Sequence, residues 1–298
     1  MKPDATTTLE TTAAGAVARA AGWMAGALLS FTAMAFAGRE ISHELNTFQL
    51  MTYRGALALI LIVVIAAAVP GGLRRFRTRR PFLHILRNLS HFVGQFGWFY
   101  GVALIPLAQV FALEFTTPIW VALLAPLLLG ERLTLARLGA AAMGFVGVMI
   151  VLRPGTGLFN TGSAAVLIAA VGFAGSLLAT KRLSATEHPM AVLFYMALVQ
   201  TPLALGPTIH DLPLPSPVGW LWLLLVALCS LSAHFCITRA FSLADAVVVA
   251  PMDFLRLPLI ALLGMAVYGE ALELWVFVGG AIILLGNWGN LLAESRRS

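Results

Sequence analysis

Ten successive apolar runs, most of them close to the length needed to cross a bilayer, fill this chain almost from end to end. They fall at 20–38, 46–69, 83–104, 107–129, 135–152, 161–180, 189–208, 217–238, 243–268 and 272–292. A helix needs roughly 20 apolar residues to traverse the hydrocarbon core. Lipid offers no partner to a backbone N–H or C=O, so a spanning segment must satisfy those groups internally, as a helix does. The runs lack the apolar–polar alternation of membrane strands. The expected fold is an all-α polytopic membrane protein with ten transmembrane helices. Charge agrees: Asp, Glu, Lys and Arg make up 11% of the 298 residues, against about 25% in soluble domains. Too little chain remains between the runs for a soluble catalytic domain.

The net charge of +6 does not point to nucleic acid, because the positive residues sit in short segments beside the runs. Lys and Arg mark the cytoplasmic side of a membrane protein. Threading from an inside N-terminus puts Lys2, Arg19, Arg74, Arg75, Arg77, Arg79, Arg80, Arg132, Arg137, Lys181, Arg182, Arg239, Arg296 and Arg297 inside. Arg39 and Arg153 then lie outside, and Arg54, Arg87 and Arg256 fall within spans. This bias places both termini in the cytoplasm, in a bacterial-type inner (plasma) membrane. Residues 1–19 are expected to be a disordered cytoplasmic tail, since they lack the pattern of a cleaved signal. Residues 293–298 read as a second cytoplasmic tail. Cys229 and Cys236 lie on one span, separated by about 10 Å of helical rise, beyond disulfide reach.

The chain also repeats itself. A shift of 139 residues places Gly130-Glu131 on Gly269-Glu270, Phe115 on Phe254, Leu133 on Leu272 and Gly147 on Gly286. It places Glu114 on Asp253, an acid on an acid within the membrane. The expected units are a first five-helix repeat at 20–152, a periplasmic linker at 153–160, and a second five-helix repeat at 161–292. Five is odd, so the second repeat is inverted. Inverted repeats allow either mouth to close around a midplane site. No Gly-rich phosphate loop followed by Lys occurs, so the pattern fits a secondary transporter or facilitator rather than an ATP-driven pump.

Several segments carry a family resemblance. Phe111-Ala-Leu-Glu-Phe-Thr-Thr-Pro-Ile-Trp120, with Leu129-Gly-Glu-Arg132, resembles the fourth span of the EamA-domain branch of the drug/metabolite transporter superfamily. Gly144-Phe-Val-Gly147 and Arg153-Pro-Gly155 resemble its fifth-span ending, and Arg54 after Tyr53 resembles an arginine of its second span. The likeness covers about residues 20–292. Arg80-Pro-Phe-Leu-His-Ile-Leu-Arg87, and Ala240-Phe-Ser-Leu-Ala-Asp-Ala246 leading to Pro251, look closest to the S-adenosylmethionine uptake branch. Riboflavin and opine-metallophore transporters share much of the pattern. The resemblance implies transport of a small metabolite, with no cofactor, in either direction.

Ionisable groups within a span need a partner or a water-filled cavity, and they supply the candidate site. Glu114 and Asp253 can couple a proton or cation, or meet a substrate amine. Arg256 lies three residues beyond Asp253 on one helix face, where i,i+3 pairs meet, and can alternatively bind a substrate carboxylate. Arg54 is a candidate partner for Glu114. Arg87, His91, Gln95 and Trp98 follow one another at helical spacing as a polar stripe on span three. His91 carries the side chain type that changes charge near physiological pH; Trp98 and Tyr100 offer rings for a flat or cationic ligand, the alternative being that they belong to an aromatic belt and that Arg87 snorkels to the cytoplasmic interface. His234 is more often a satisfied buried histidine than a ligand, and Thr117 and Ser176 offer hydroxyls that can instead bond their own helix backbone. His84 and His91 share a face, without enough further ligands for a metal. Pro118, Pro126, Pro251 and Pro258 interrupt spans four and nine, as in transporters with broken helices. Small-residue pairs Gly22/Gly26, Gly97/Gly101 and Ala140/Gly144 mark close helix contacts, and a homodimer is compatible with them. The buried charges of both signs suit a zwitterionic, amino-acid-derived solute; riboflavin or another flat aromatic metabolite is the alternative. An integral-membrane enzyme is the remote one, since neither a His-Glu-x-x-His motif nor paired aspartates on one helix occur.

Overall fold

The computed structural model describes residues 5–130, 134–153, 155, 159–184, 186–241, 243, 249 and 252–295. Among these residues the regular elements are helical: α1 (Ala5–Ile41), α2 (Thr47–Ala68), α3 (Pro81–Leu104), α4 (Leu107–Glu114), α5 (Thr117–Leu129) and α6 (Leu135–Leu152). They continue with α7 (Thr161–Ser184), α8 (Pro189–Leu205), α9 (Pro217–Phe241), α10 (Arg256–Tyr268) and α11 (Leu274–Ser295), besides two short 3-10 turns. Among the described residues eight helical segments are long and apolar enough to cross a membrane, the α4–α5 pair counting as one. At 24 residues α3 is just as long, and its polar stripe lowers its hydropathy. The 13-residue α10 occupies the end of the expected span 243–268. Asp245 and Pro251, earlier in that span, lie outside the described residues, as do Glu131, Arg132 and Leu133.

The helix boundaries have local causes. Asn46 starts α2 with a reciprocal cap: its side chain accepts from the Gln49 N–H at 3.0 Å, and the Gln49 side chain accepts from the Asn46 N–H at 2.9 Å. Gly130 and Gly269 end α5 and α10 at φ 71° and 65°, left-handed values that glycine adopts without a Cβ clash. These two caps are 139 residues apart, as are the starts of α5 and α10 (Thr117, Arg256) and of α6 and α11 (Leu135, Leu274).

Four helix pairs make the most extensive contacts: α3 with α7, α1 with α9, α6 with α11, and α2 with α8. Each joins residues before 153 to residues after 160. The α3–α7 pair is close enough that a Cβ on Gly172 would stand 2.7 Å from the Gly94 nitrogen and the Ser90 carbonyl oxygen. The expected contacts at Gly97 and Gly101 belong to this seam, facing Ala165 and Val166. Gly26 approaches Cys236 of α9, but Gly22 faces open space and makes no such contact.

The distribution of polarity is inverted relative to a soluble protein. Leu127, Phe145 and Leu221 are 80%, 67% and 65% exposed, while Arg54, Arg87, His91, Gln95 and Arg256 are buried. An apolar exterior around a polar interior, with these helix lengths, makes this a multi-pass membrane protein.

Three of the expected boundaries fall partly on described residues. Helix α1 extends back to Ala5, into residues expected to form a disordered tail as far as residue 19; Ala13, Ala14, Ala16 and Ala18 supply strong intrinsic helix propensity there. Helix α11 continues to Ser295, into the expected second tail, whose residues 296–298 lie outside the described residues. In the expected linker, Arg153 ends α6 at φ 41° and pairs with Glu273, whereas 154 and 156–158 lie outside the described residues.

Candidate functional site

Two helix breaks build the site. Pro118 occupies the first turn of α5; it lacks an N–H, and its ring excludes the carbonyl four residues earlier, at Glu114. The helix therefore stops at Glu114 and restarts at Thr117. Three carbonyls at the break accept from side chains. The Thr116 hydroxyl donates to Leu113 and the Thr117 hydroxyl to Glu114, both at 2.7 Å. Asn287, buried on α11, donates to the Phe115 carbonyl at 3.0 Å. Thr117 thus bonds its own backbone, and Asn287 is a site-building residue that sequence reasoning missed. The second break is a turn at Phe254 and Leu255 between Asp253 and α10, with Pro258 in the first turn of α10. Pro126, by contrast, lies inside α5 without ending it.

The two breaks converge on one cation. Arg256 donates to Asp253 at 2.9 Å and to Glu114 at 3.4 Å, and the Trp98 indole N–H donates to the other Glu114 oxygen at 2.8 Å. The guanidinium lies 4.5, 4.9 and 5.3 Å from the ring centroids of Phe31, Phe111 and Phe115, an aromatic cage that favours a cation. The Arg256 side chain is 4% exposed, against 17% for Glu114 and 26% for Asp253. The two acids are therefore more reachable than the arginine they share. Glu114 was expected to pair with Arg54; it pairs with Arg256 instead, because the second break carries that residue against α4.

Arg54 serves a different group. It donates to Gln95 at 2.6 Å and to Ser230 at 3.4 Å, and lies over the Phe99 ring at 5.7 Å. Next to it the Gln200 amide nitrogen meets His91 Nδ1 at 3.0 Å, and the His91 ring lies 6.4 Å from that of His234. His234 in turn packs edge-on against Phe31. Nearer the start of α3, Arg87 donates to Asn88 at 2.6 Å and to Thr180 at 3.2 Å.

The stripe on α3 is thus the organising element. Arg87, His91, Gln95 and Trp98 are all buried, and they reach α7, α8, α2 and α4 respectively. Tyr100 lies off the stripe, its ring stacked on Phe96 at 6.1 Å, and two residues apart on a helix Trp98 and Tyr100 face different directions. Ser176 is buried on α7, where its carbonyl accepts from Thr180. His84 faces Glu187 at 3.7 Å and stacks on Tyr195, away from His91. Gln200 and Ser230 are the other members that sequence reasoning missed; Gln200 is the one amide side chain of α8, a signal that could have marked it, whereas Ser230 is one of two serines in α9 and carries none.

At the end of the bundle where α1 finishes, Arg39 pairs with Glu270 at 2.9 Å and also donates to the Val102 carbonyl. Glu270 accepts from the Leu107 N–H at 2.9 Å, and Tyr268 donates to Glu40 at 2.7 Å. These bonds tie α1 and the start of α4 to the end of α10.

Comparison with known proteins agrees with this architecture. The model of the EamA-like transporter family matches residues 18–153 and 160–292. The chain is 32% identical over 232 residues to a riboflavin transporter of Brucella anthropi, covering 76% of this chain and 82% of that one. It is 28% identical over 271 residues to an S-adenosylmethionine uptake transporter of Rickettsia bellii, covering 88% and 90%. It is 28% identical over 265 residues to the pseudopaline exporter CntI of Pseudomonas aeruginosa, covering 87% and 91%. A solved crystal structure superposes with a TM-score of 0.64 at 22% identity, over 92% of this chain and 98% of that one, so the fold is one already observed. With both of its halves matched, the chain belongs to the EamA-like transporter family.

Proposed function

We propose that this protein is a secondary transporter that moves a small zwitterionic, amino-acid-derived metabolite across a bacterial-type inner membrane by alternating access. The observation that carries the reading is the sharing of Arg256 by Glu114 and Asp253 at two facing helix breaks. Buried acids that remain reachable, with buried arginines one helix away, suit a solute bearing both charges. Relatives named for S-adenosylmethionine uptake and pseudopaline export point to substrates of this class.

The reading includes ten spans in two inverted halves, with both termini cytoplasmic. Matching helix starts at a 139-residue offset support it. So does the packing: the same offset exchanges the α3–α7 pair with the α1–α9 pair, and maps α6–α11 and α2–α8 onto themselves. Glu114 is our proposed proton-coupling carboxylate.

Uptake by the purified protein in liposomes tests the function, using labelled S-adenosylmethionine, lysine and riboflavin with and without a pH gradient. Uptake of a charged member above that of empty vesicles supports the reading, and no uptake of any probe contradicts it. A second reading, a flat aromatic substrate, draws on the riboflavin-transporter relative and on the rings around Arg256. Uptake of riboflavin alone would select it.

A further inference from the structure

The interior charges are distributed unevenly. Around Arg256, two carboxylates share one guanidinium. Around Arg54 the reverse holds. Its guanidinium is buried, its described partners are the neutral Gln95 and Ser230, and its Nε has no hydrogen-bond partner. The neighbouring Arg87 is also buried and bonds only the neutral side chains of Asn88 and Thr180. No carboxylate lies within 4.0 Å of either arginine among the described residues. Nor is this a case of His91 or Gln200 supplying charge compensation, since those two bond each other. A buried cation in hydrocarbon calls for an anion.

The two groups are close. Gln95, which holds Arg54, and Trp98, which holds Glu114, are three residues apart on α3, about 4.5 Å of rise. The interior therefore has an acidic pole with excess carboxylate and a basic pole with excess guanidinium, roughly one helical turn apart along the same helix.

Resting on the transporter reading, we infer that the basic pole is the subsite for a substrate carboxylate. Arg54 receives that carboxylate through its free Nε and its Nη groups, and the substrate's cationic centre lies toward Glu114 and Asp253. Arg54 is suited to this because a guanidinium presents donors in a planar fork that matches two carboxylate oxygens. Gln95 and Ser230 hold the fork in place and are positioning residues. The substrate class narrows accordingly: it carries a carboxylate as well as a positive centre, and a decarboxylated analogue of it binds poorly.

The test uses full-length protein in liposomes with labelled S-adenosylmethionine and lysine, each competed by itself and by its decarboxylated analogue, with riboflavin as the uncharged control. For whichever acid moves, the unlabelled acid is expected to compete about tenfold better than the analogue, the order of one charge-assisted pair. In Arg54→Gln that preference is expected to fall to about twofold or less, and in Arg54→Lys, which keeps the charge without the fork, to an intermediate value. Equal competition in the wild type, or an undiminished preference in Arg54→Gln, overturns the inference while the transport reading stands. Uptake of riboflavin alone has the same effect. If Arg54→Gln is not monodisperse, the wild-type comparison and Arg54→Lys decide. No uptake of any probe by the wild type removes the transport reading and this inference together.

Discussion

Phe115 and Phe254 stand ring against ring, with centroids 4.5 Å apart and planes at 53°. They are separated by 139 residues in the chain, and each occupies the turn of a broken helix. The residue before each is an acid, and both acids bind Arg256. Two points 139 residues apart in the chain therefore meet, and we take this meeting point as the proposed site.

Removing the shared cation is expected to be the most damaging single change. Arg256→Gln leaves Glu114 and Asp253 facing each other, and breaking a buried pair in this way destabilises by about 3–5 kcal/mol. The denaturation midpoint in detergent should fall clearly, and adding Asp253→Asn to Arg256→Gln should restore part of the loss. No recovery in the double variant would show that the acids do not depend on Arg256.

Glu114→Gln should behave differently. It keeps an acceptor for the Trp98 indole but lacks the charge, so the fold is expected to survive with its melting behaviour little changed. Uptake in proteoliposomes should fall at least about tenfold, the effect of losing one charge-assisted contact. The remaining flux should no longer respond to a pH gradient. Unchanged flux and pH response would remove the coupling role proposed for this residue.

Asn287→Leu tests the construction of the first break. It leaves the Phe115 carbonyl buried without a donor, at a loss of about 1–3 kcal/mol. Thermal denaturation should report it, and Asn287→Gln should not rescue it fully because the longer side chain misplaces the amide.

The Arg39–Glu270 contact is expected to act as a unit. A double-mutant cycle with Arg39→Gln and Glu270→Gln should give a coupling energy of about 0.5–3 kcal/mol, the range for directly bonded neighbours. A value near zero would mean that this end of the bundle is held by packing alone.

The helices are legible in the sequence because lipid forces each span to be long, apolar and internally bonded. The likeness of the halves shows because Gly130 and Gly269 are needed at left-handed turns and Glu114 and Asp253 are conspicuous in an apolar setting. The buried stripe on α3 is legible from its spacing. The partnerships are not. Arg54 bonds Gln95 rather than Glu114 because the relation between α2 and α3 is set by tertiary packing, and spacing within one helix carries no information about it. Asn287 caps a carbonyl 172 residues away, and an asparagine near the end of an apolar run, with Asn290 one turn on, gives no hint of its target. Proximity in sequence groups Tyr100 with Trp98, yet two residues that close on a helix face different directions.

The central claim is that the acids line a wet interior chamber while the apolar exterior meets lipid. Cysteine accessibility tests it most directly. In a background with Cys229 and Cys236 replaced by Ser, single cysteines are placed at Glu114, Asp253, Leu29 and Ile60, and each is exposed to a charged, membrane-impermeant thiol reagent in intact vesicles. Leu29 and Ile60 are 63% and 60% exposed on the exterior. Cysteines at 114 and 253 are expected to react, and a transported solute to protect them, while those at 29 and 60 stay unreacted. Reaction at 29 and 60 with none at 114 and 253 would contradict the account.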